Sequence, residues 1–260
     1  MPLAHTTRTD LLLRTERFSL RLADDADDLA AAQRLRFTIF NLELNEGLAA
    51  SFQTGRDEDP FDRQCDHLLL TENMSGQLIG TYRLQTYGMA KAGRGFYSAT
   101  EFDLSYLPAA MQQQSVELGR ACIAPEQRHS EALLLLWRGI AAYAQQSGKR
   151  YLFGCCSLRS QQPREGWVLT QQLGQAGHLH PRLFVLPRAG FECDDAELPE
   201  LMEASEPAPV AIPKLLQSYL RFGAKVCGQP ALDRQFGTID FFTLFDFTQL
   251  NERARKLLAS

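Results

Sequence analysis

No long apolar run occurs in these 260 residues, and the first eighteen, MPLAHTTRTDLLLRTERF, hold only three successive leucines before Arg14. That is too short for the core of an export signal or a spanning helix, so a cytoplasmic protein is expected. Basic clusters are also missing. With 27 Lys and Arg scattered among 31 Asp and Glu, for a formal charge of -4, there is no face to release counterions from nucleic acid. None of the six cysteines (Cys65, Cys122, Cys155, Cys156, Cys193, Cys227) forms a CxxC pair, and the adjacent Cys155 and Cys156 are badly placed to bridge one another. Reduced, buried thiols are expected. Metal-ligand spacing is absent too: Cys65-Asp66-His67 points neighbouring side chains apart, and His178-x-His180 has no matching carboxylate or cysteine pair, so no metal site is expected. There is no internal repeat and no low-complexity segment.

What is present is an ordinary globular composition, 45% hydrophobic and 22% charged. FSLRL (18–22) alternates as a strand, and DDADD supplies the N-cap and first-turn carboxylates of a helix whose apolar face is Leu29, Ala32, Leu35, Ile39 and Leu42, with Arg34, Arg36 and Glu43 in other directions. Residues 51–66 are polar, acidic and interrupted by Gly55 and Pro60, a long loop of the kind that often carries function. HLLLTE and QLIGTYRLQTY, around NMSG, read as a hairpin. VELGRACI (116–123) is a third strand, and after the EQRHS turn Leu133, Trp137, Ile140, Ala141 and Ala144 mark a helix. YLFGCCSL is the next strand. A proline-rich segment, 199–214, is expected to be mobile, and a helix over 214–228 leads to an apolar strand in FGTIDFFTLFDF. The order predicts one α/β domain over 1–260 with a mixed sheet.

The strand-turn-helix at 116–143 leaves free helix N–H groups at its turn, which suits an anion, and Arg128 offers a bidentate grip on phosphate oxygens. Glu117 and Arg120, three apart on one strand, lie on opposite faces unless a bulge near Gly119 intervenes. They read either as a structural ion pair or as a general base with an orienting partner. Arg36, Asp62, Asp66 and Arg83 are charges inside or beside apolar runs, and with Glu117 and Arg120 they are candidates for one polar cluster at an end of the sheet. A cysteine nucleophile requires a histidine within reach, which sequence alone does not reveal.

In order and spacing, Arg36-x-x-x-Phe40, Asp62, Asp66, Gly80-x-x-Arg83-Leu84 and Glu117-x-x-Arg120 resemble the acyl-homoserine-lactone synthases, a branch of the GNAT acyltransferase fold. The sequence departs from them in NLELNEG, which lacks the tryptophan they carry shortly after R-x-x-x-F. Over most of its length the chain is more similar to the hemolysin-like GNAT group that includes ornithine N-acyltransferase. The segments that carry this resemblance are LRFTIFNLELNEG, CDHLL, GTYRL, FYSATEFDLS, ELGRACIAPEQR and YLRFGAKVCGQPALDRQFGTIDFF.

The resemblance implies a GNAT fold, a mixed central sheet flanked by helices with a C-terminal extension, and transfer of a 3-hydroxyfatty acyl chain from acyl carrier protein to the α-amine of ornithine. It implies no resident cofactor, since the phosphopantetheine arm belongs to the donor substrate. That arm would meet Gln127, Arg128, His129 and Ser130; the serine stands where acetyl-CoA enzymes carry a glycine, which suits one phosphodiester better than a pyrophosphate. Glu117 is implied as general base with Glu101 as second choice, Arg120 as its partner, and a backbone N–H among Ala121, Cys122 and Ile123 as oxyanion donor. Arg36 would clamp the acceptor's carboxylate, Arg83 would fix the carboxylates of the cluster, and Asp62 or Asp66 would hold its second ammonium. Phe153 and Leu158 would line the acyl tunnel. Two alternatives stay open: a synthase of soluble N-acyl amino acids or lactone-like signals, and a membrane-active hemolysin-like protein. The 214–228 helix is the candidate contact with the bilayer, at the inner membrane face, or with the carrier protein.

Overall fold

The computed structural model describes residues 12–128, 130–194, 208–250 and 252–259. His129 and residues 199–207 of the proline-rich segment lie outside the described residues. In chain order the elements are β1 (Leu12–Arg14), β2 (Phe18–Leu22), α1 (Ala26–Phe37), α2 (Ser51–Thr54), β3 (Asp66–Glu72), β4 (Leu78–Thr86), α3 (Tyr87–Ala92), β5 (Phe102–Asp103), α4 (Ala109–Gln113) and β6 (Ser115–Ile123). Then come α5 (Ser130–Gln146), β7 (Tyr151–Leu158), α6 (Pro163–Gln175), β8 (Leu186–Pro187), α7 (Lys214–Arg221), β9 (Lys225–Val226), β10 (Ala231–Asp233), β11 (Thr238–Asp246) and α8 (Glu252–Ala259). These described residues fall into two compact units, the first running to Gly95 and resuming over Val116–Arg150 and from Glu252, the second comprising Phe96–Ser115 and Tyr151 to residue 250.

In the first unit β1, β2, β3, β4 and β6 pair antiparallel in that order. β2 buries Phe18, Leu20 and Leu22 and leaves the alternate residues more exposed, whereas β3 and β4 are buried on both faces. Such strands need cover on two sides. Contacts from α1 reach β3 and β4, and contacts from α5 reach β2, β3 and β4. Gly139 of α5 lies so close to β2 that a Cβ there would stand 2.2 Å from Leu20 Cδ2. As the spacing predicts, Asp25 caps α1, accepting from the N–H groups of Asp27 and Asp28. The buried face of α1 differs from the expected one. It holds Ala30, Ala32, Gln33 and Arg36, the helix continues as a π-helix over Thr38–Glu43, and Leu42 is exposed. On α5, Leu133 and Ala141 are only half-buried, and the core side is Ala132, Leu135, Leu136, Trp137, Ile140, Tyr143 and Ala144.

In the second unit β11 lies between β7 on one edge and β10 and β9 on the other, all antiparallel, while β5 pairs β8. Isolated parallel bridges join Leu179 to Val226 and Val185 to Gly228. The core is aromatic: Phe153 stacks on Phe242 at 5.3 Å between ring centroids and meets Phe96 edge-on at 4.9 Å, and Phe242 also meets Phe102. Helix α6, which the sequence pattern did not anticipate, opens on Pro163 in its first turn and buries Val168, Leu169 and Leu173. The helix expected over 214–228 stops at Arg221, because Gly223 takes a left-handed φ of 99° and the chain turns into β9. Its apolar side chains Leu216, Tyr219 and Leu220 are buried. Among the described residues no helix is long and apolar enough to cross a membrane. Val210, in the described part of the proline-rich segment, exchanges two hydrogen bonds with the Gln172 side chain.

Gly228 has a φ of 96°, and a Cβ there would fall 1.9 Å from the carbonyl oxygen of Val185. Rigid backbone is in the way, so Gly228→Ala is expected to destabilise the protein by at least about 2 kcal/mol in urea unfolding.

Candidate active site

The acidic loop after α2 wraps its carboxylates around the one charged residue that α1 buries completely. Arg36 is fully inaccessible, and all three of its side-chain nitrogens are committed. Nε meets Asp57 Oδ2 at 3.2 Å, Nη1 meets Asp62 Oδ1 at 3.0 Å, and Nη2 meets Asp62 Oδ2 at 2.6 Å as well as the Asp57 carbonyl. Arg83 of β4 reaches the same loop through Nη1, at 2.6 Å from Asp59 and 3.0 Å from Asp62. Arg120 of β6 reaches Asp57 Oδ1 at 2.5 Å. Gln33 adds a donor to Asp62 at 2.9 Å. Three guanidinium groups thus face three carboxylates, a charge-balanced cluster that a buried environment tolerates.

Burial by itself would raise the Asp62 carboxyl, but Arg36 and Arg83 outweigh it and hold it well below the usual carboxylate range. His67, beside it on β3, donates no charge. Burial, and then the Arg36 guanidinium, lowers its imidazolium to about 4. Its Nε2 lies 2.9 Å from the Asp62 carbonyl, and its Nδ1 has no hydrogen-bond partner, which fits a neutral ring with the proton on Nε2.

Arg120 arrives in this cluster through a bulge. Thr81 pairs Cys122 while Arg83 pairs Gly119, so Arg120 and Ala121 stand together against Tyr82 alone. Arg120 itself has a φ of 49°, a left-handed conformation that costs a non-glycine residue about 1–3 kcal/mol. The ion pair with Asp57 and the Phe40 ring 5.4 Å beneath its guanidinium hold it there. The bulge removes the expectation that Glu117 and Arg120 point to opposite faces. Glu117 is buried opposite Gln85. It is near enough to the cluster that the Cys65 thiol, raised mainly by burial, also responds to the charges of Arg83 and Glu117.

The remaining sequence-chosen residues take other places. Asp66 is not joined to Arg36, Arg83 or Arg120 by a described ion pair; it accepts a 2.7 Å hydrogen bond from the Tyr143 hydroxyl. Ala121 and Ile123 are half-buried and Cys122 is buried, its thiol pushed up to about 12 by burial and so protonated at neutral pH, like that of Cys156. Neither is a ready nucleophile. Arg128 grips Glu43 with both Nη atoms, at 2.5 and 2.6 Å, and its Nε donates to the Ile123 carbonyl. Gln127 donates to Glu72, and Ser130 is the first residue of α5. Phe153 sits in the aromatic core of the second unit. Glu101 belongs to that unit as well, beside Asp233 and Asp240. Asp57, Asp59, Asp233 and Asp240 had not been singled out from the sequence. For the first two the signal was available, since the loop reads D-x-D-x-x-D; the other two lie in stretches read as a turn and an apolar strand.

Residues 35–138 match the model of the acetyltransferase (GNAT) domain. The structure of FeeM, an N-acyl amino acid synthase from uncultured soil microbes, superposes with a TM-score of 0.51 at 13% identity, covering 93% of this chain and 99% of that one. The fold and the matched domain define an α/β acyltransferase of the GNAT class. The chain is 32% identical to the L-ornithine N(alpha)-acyltransferase of Brucella abortus (strain 2308) over 94% of its own length and 89% of that protein. It is 34% identical to that of Agrobacterium fabrum (strain C58 / ATCC 33970) over 90% and 82%. It belongs to the L-ornithine N(alpha)-acyltransferase family.

Two measurements probe this cluster. Asp62→Ala strands Arg36 without its main partner and is expected to destabilise the fold by about 3–5 kcal/mol in chemical denaturation. His67 titrates near 6.5 when unfolded and about 4 when folded, so between those values only the unfolded chain takes up the proton. Its contribution is therefore fully present above pH 6.5 and falls by on the order of 3 kcal/mol as the pH drops to 4. Asp62 weakens the fold only below the ordinary aspartate range. His67→Gln, which keeps a donor and does not titrate, should flatten the pH dependence of stability between 6.5 and 4.

Proposed function

We propose that this protein transfers a 3-hydroxyfatty acyl group from acyl carrier protein to the α-amino group of ornithine, the first step of ornithine-lipid synthesis. The likeness to L-ornithine N(alpha)-acyltransferases along nine-tenths of the chain carries this reading. The turn before α5 supports a carrier-protein donor. It offers Ser130 in place of an open glycine, and its arginine is already paired with Glu43, an arrangement that suits the single phosphodiester of a carrier-protein arm.

The reaction is direct aminolysis of a thioester. Glu117 takes a proton from the α-ammonium, and the nitrogen lone pair attacks the carbonyl carbon. The oxyanion that forms is met by a backbone N–H among Ala121, Cys122 and Ile123, at or next to the bulge in which Arg120 and Ala121 stand against Tyr82. Collapse breaks the carbon–sulfur bond, and the leaving thiolate accepts the second proton of the amine. Arg36, Asp62 and Arg83 act as positioning residues. Their mutual pairing, completed by Asp57 and Asp59, fixes the acidic loop and ties it to Arg120 of β6.

Incubation with 3-hydroxyacyl carrier protein and ornithine should yield Nα-acylornithine by mass spectrometry. Glu117→Gln is expected to lower kcat by about 100-fold or more with little change in the KM for ornithine. Undiminished turnover by that variant removes Glu117 as the base, and faster turnover with acyl-CoA overturns the carrier-protein donor. Acylation of neutral amino acids in preference to ornithine would instead favour an N-acyl amino acid synthase.

A further inference from the structure

Arg36, the clamp that the sequence suggested for the acceptor's carboxylate, has no donor left to offer, and Arg83 and Arg120 already face carboxylates of the cluster. Beside that cluster lies a cavity of about 590 Å³ whose lining belongs wholly to the first unit. Leu29 and Ala30 of α1 give it an apolar wall, and Arg56, Glu58, Arg63 and Arg94 give it charge. None of these four takes part in an ion pair among the described residues. Asp59 and Asp62 also reach the wall, but their charges are met by Arg83 and Arg36. Three guanidinium groups without a counter-ion around one space suit a carboxylate, which the planar fork takes up through paired hydrogen bonds. Because Glu58 shares the lining, the space suits a molecule that carries both signs, as a dibasic amino acid does.

Strand register puts this cavity on the side of Glu117. Leu22, the last residue of β2, pairs Leu68, Asp66 pairs Leu84, and Gln85 pairs Glu117. Helix α1, which begins at Ala26, therefore starts at the end of the sheet where Glu117 stands. Arg83 and Gln85, two apart on β4, share a face, and Arg83 reaches Asp59 and Asp62 in the cavity wall. Glu117, directly opposite Gln85, points to that same face. Gly95, the neighbour of Arg94, accepts from the Gln64 and Gln85 side chains at 3.0 and 2.9 Å, which ties the Arg94 backbone to the strand pair that carries Glu117. We propose that Arg56, Arg63 and Arg94 hold the α-carboxylate of the amino-acid acceptor in this cavity. The inference rests on the reading of ornithine as acceptor. Carboxylate and reacting amine share one carbon, so an arginine that holds the first also aims the second.

The test compares L-ornithine with L-ornithinamide, which keeps both amines and loses the carboxylate charge, on the full chain with 3-hydroxyacyl carrier protein as donor. The wild-type protein should favour ornithine by about 100-fold or more in kcat/KM. Arg63→Gln and Arg94→Gln, combined, should lower that preference by about ten-fold or more, chiefly through the KM for ornithine. Both residues are exposed, so the double variant should melt with the wild type. The amide also changes the basicity of the amine beside it, an effect common to every protein compared, so the change in preference reports the arginines. A preference kept within about two-fold in the folded double variant overturns the site. Binding is read separately, by calorimetry with ornithine, ornithinamide and inorganic phosphate and no acyl donor. Ornithine binding that the double variant loses, in a protein that acylates nothing, supports the site and overturns the proposed function. Equal binding of ornithine and its amide, or phosphate bound more tightly than ornithine, overturns the site, while acylation of ornithine by the same protein leaves the proposed function standing.

Discussion

A guanidinium with no access to water organises the first unit. Removing Arg36 from solvent is costly, and the cost is offset only if every one of its donors is met in good geometry. Asp57 and Asp62 do this, which obliges the polar loop between α2 and β3 to fold down onto α1. Once there, the same carboxylates are within reach of Arg83 and Arg120 on two neighbouring strands. A helix, a loop and two sheet strands are thereby tied at one point, by groups that lose their partners together if any one is removed. Arginine rather than lysine suits the position, because the planar fork engages two carboxylates in separate directions.

The strained backbone of Arg120 depends on this arrangement. In a regular ladder, β6 would carry Glu117 and Arg120 on opposite faces, with every inward N–H paired to β4. The extra residue breaks that regularity between Gly119 and Cys122, and a left-handed arginine persists there because Asp57 and Phe40 hold its side chain. The charged cluster thus holds a backbone irregularity within the sheet.

Much of the fold was legible wherever one periodicity dominated. FSLRL alternates, and the HLLLTE and QLIGTYRLQTY pair is apolar around a polar turn; these became β2 and the β3–β4 hairpin. The possibility of a bulge near Gly119 was also visible, though the left-handed residue proved to be Arg120, since glycine is a permissive position and not a marker of where strain is stored. The inward face of α1 was not legible. Hydrophobic periodicity assigns Arg36 outward, and its real environment is built by residues 21 and 26 positions later, in a polar loop and the 3-10 turn that ends it. Asp240 was hidden for the complementary reason. A lone carboxylate inside the apolar run TIDFFTLF reads as an imperfection in a core strand until its distant partner Glu101 is beside it.

The two buried acidic clusters differ in charge balance, and that difference separates their titration. Asp57, Asp59 and Asp62 are matched one for one by arginines, so this cluster is complete and serves to hold structure. Around Glu101, Asp233 and Asp240, hydroxyl and backbone donors orient the carboxylates but do not cancel their charge, and one oxygen is left without a donor. A structural cluster gains nothing from such a deficit, because buried like charges oppose folding. The same element, a buried carboxylate, thus stays ionised in one unit, where its counter-charge is built into the chain, and is driven toward its neutral form in the other, where it is not.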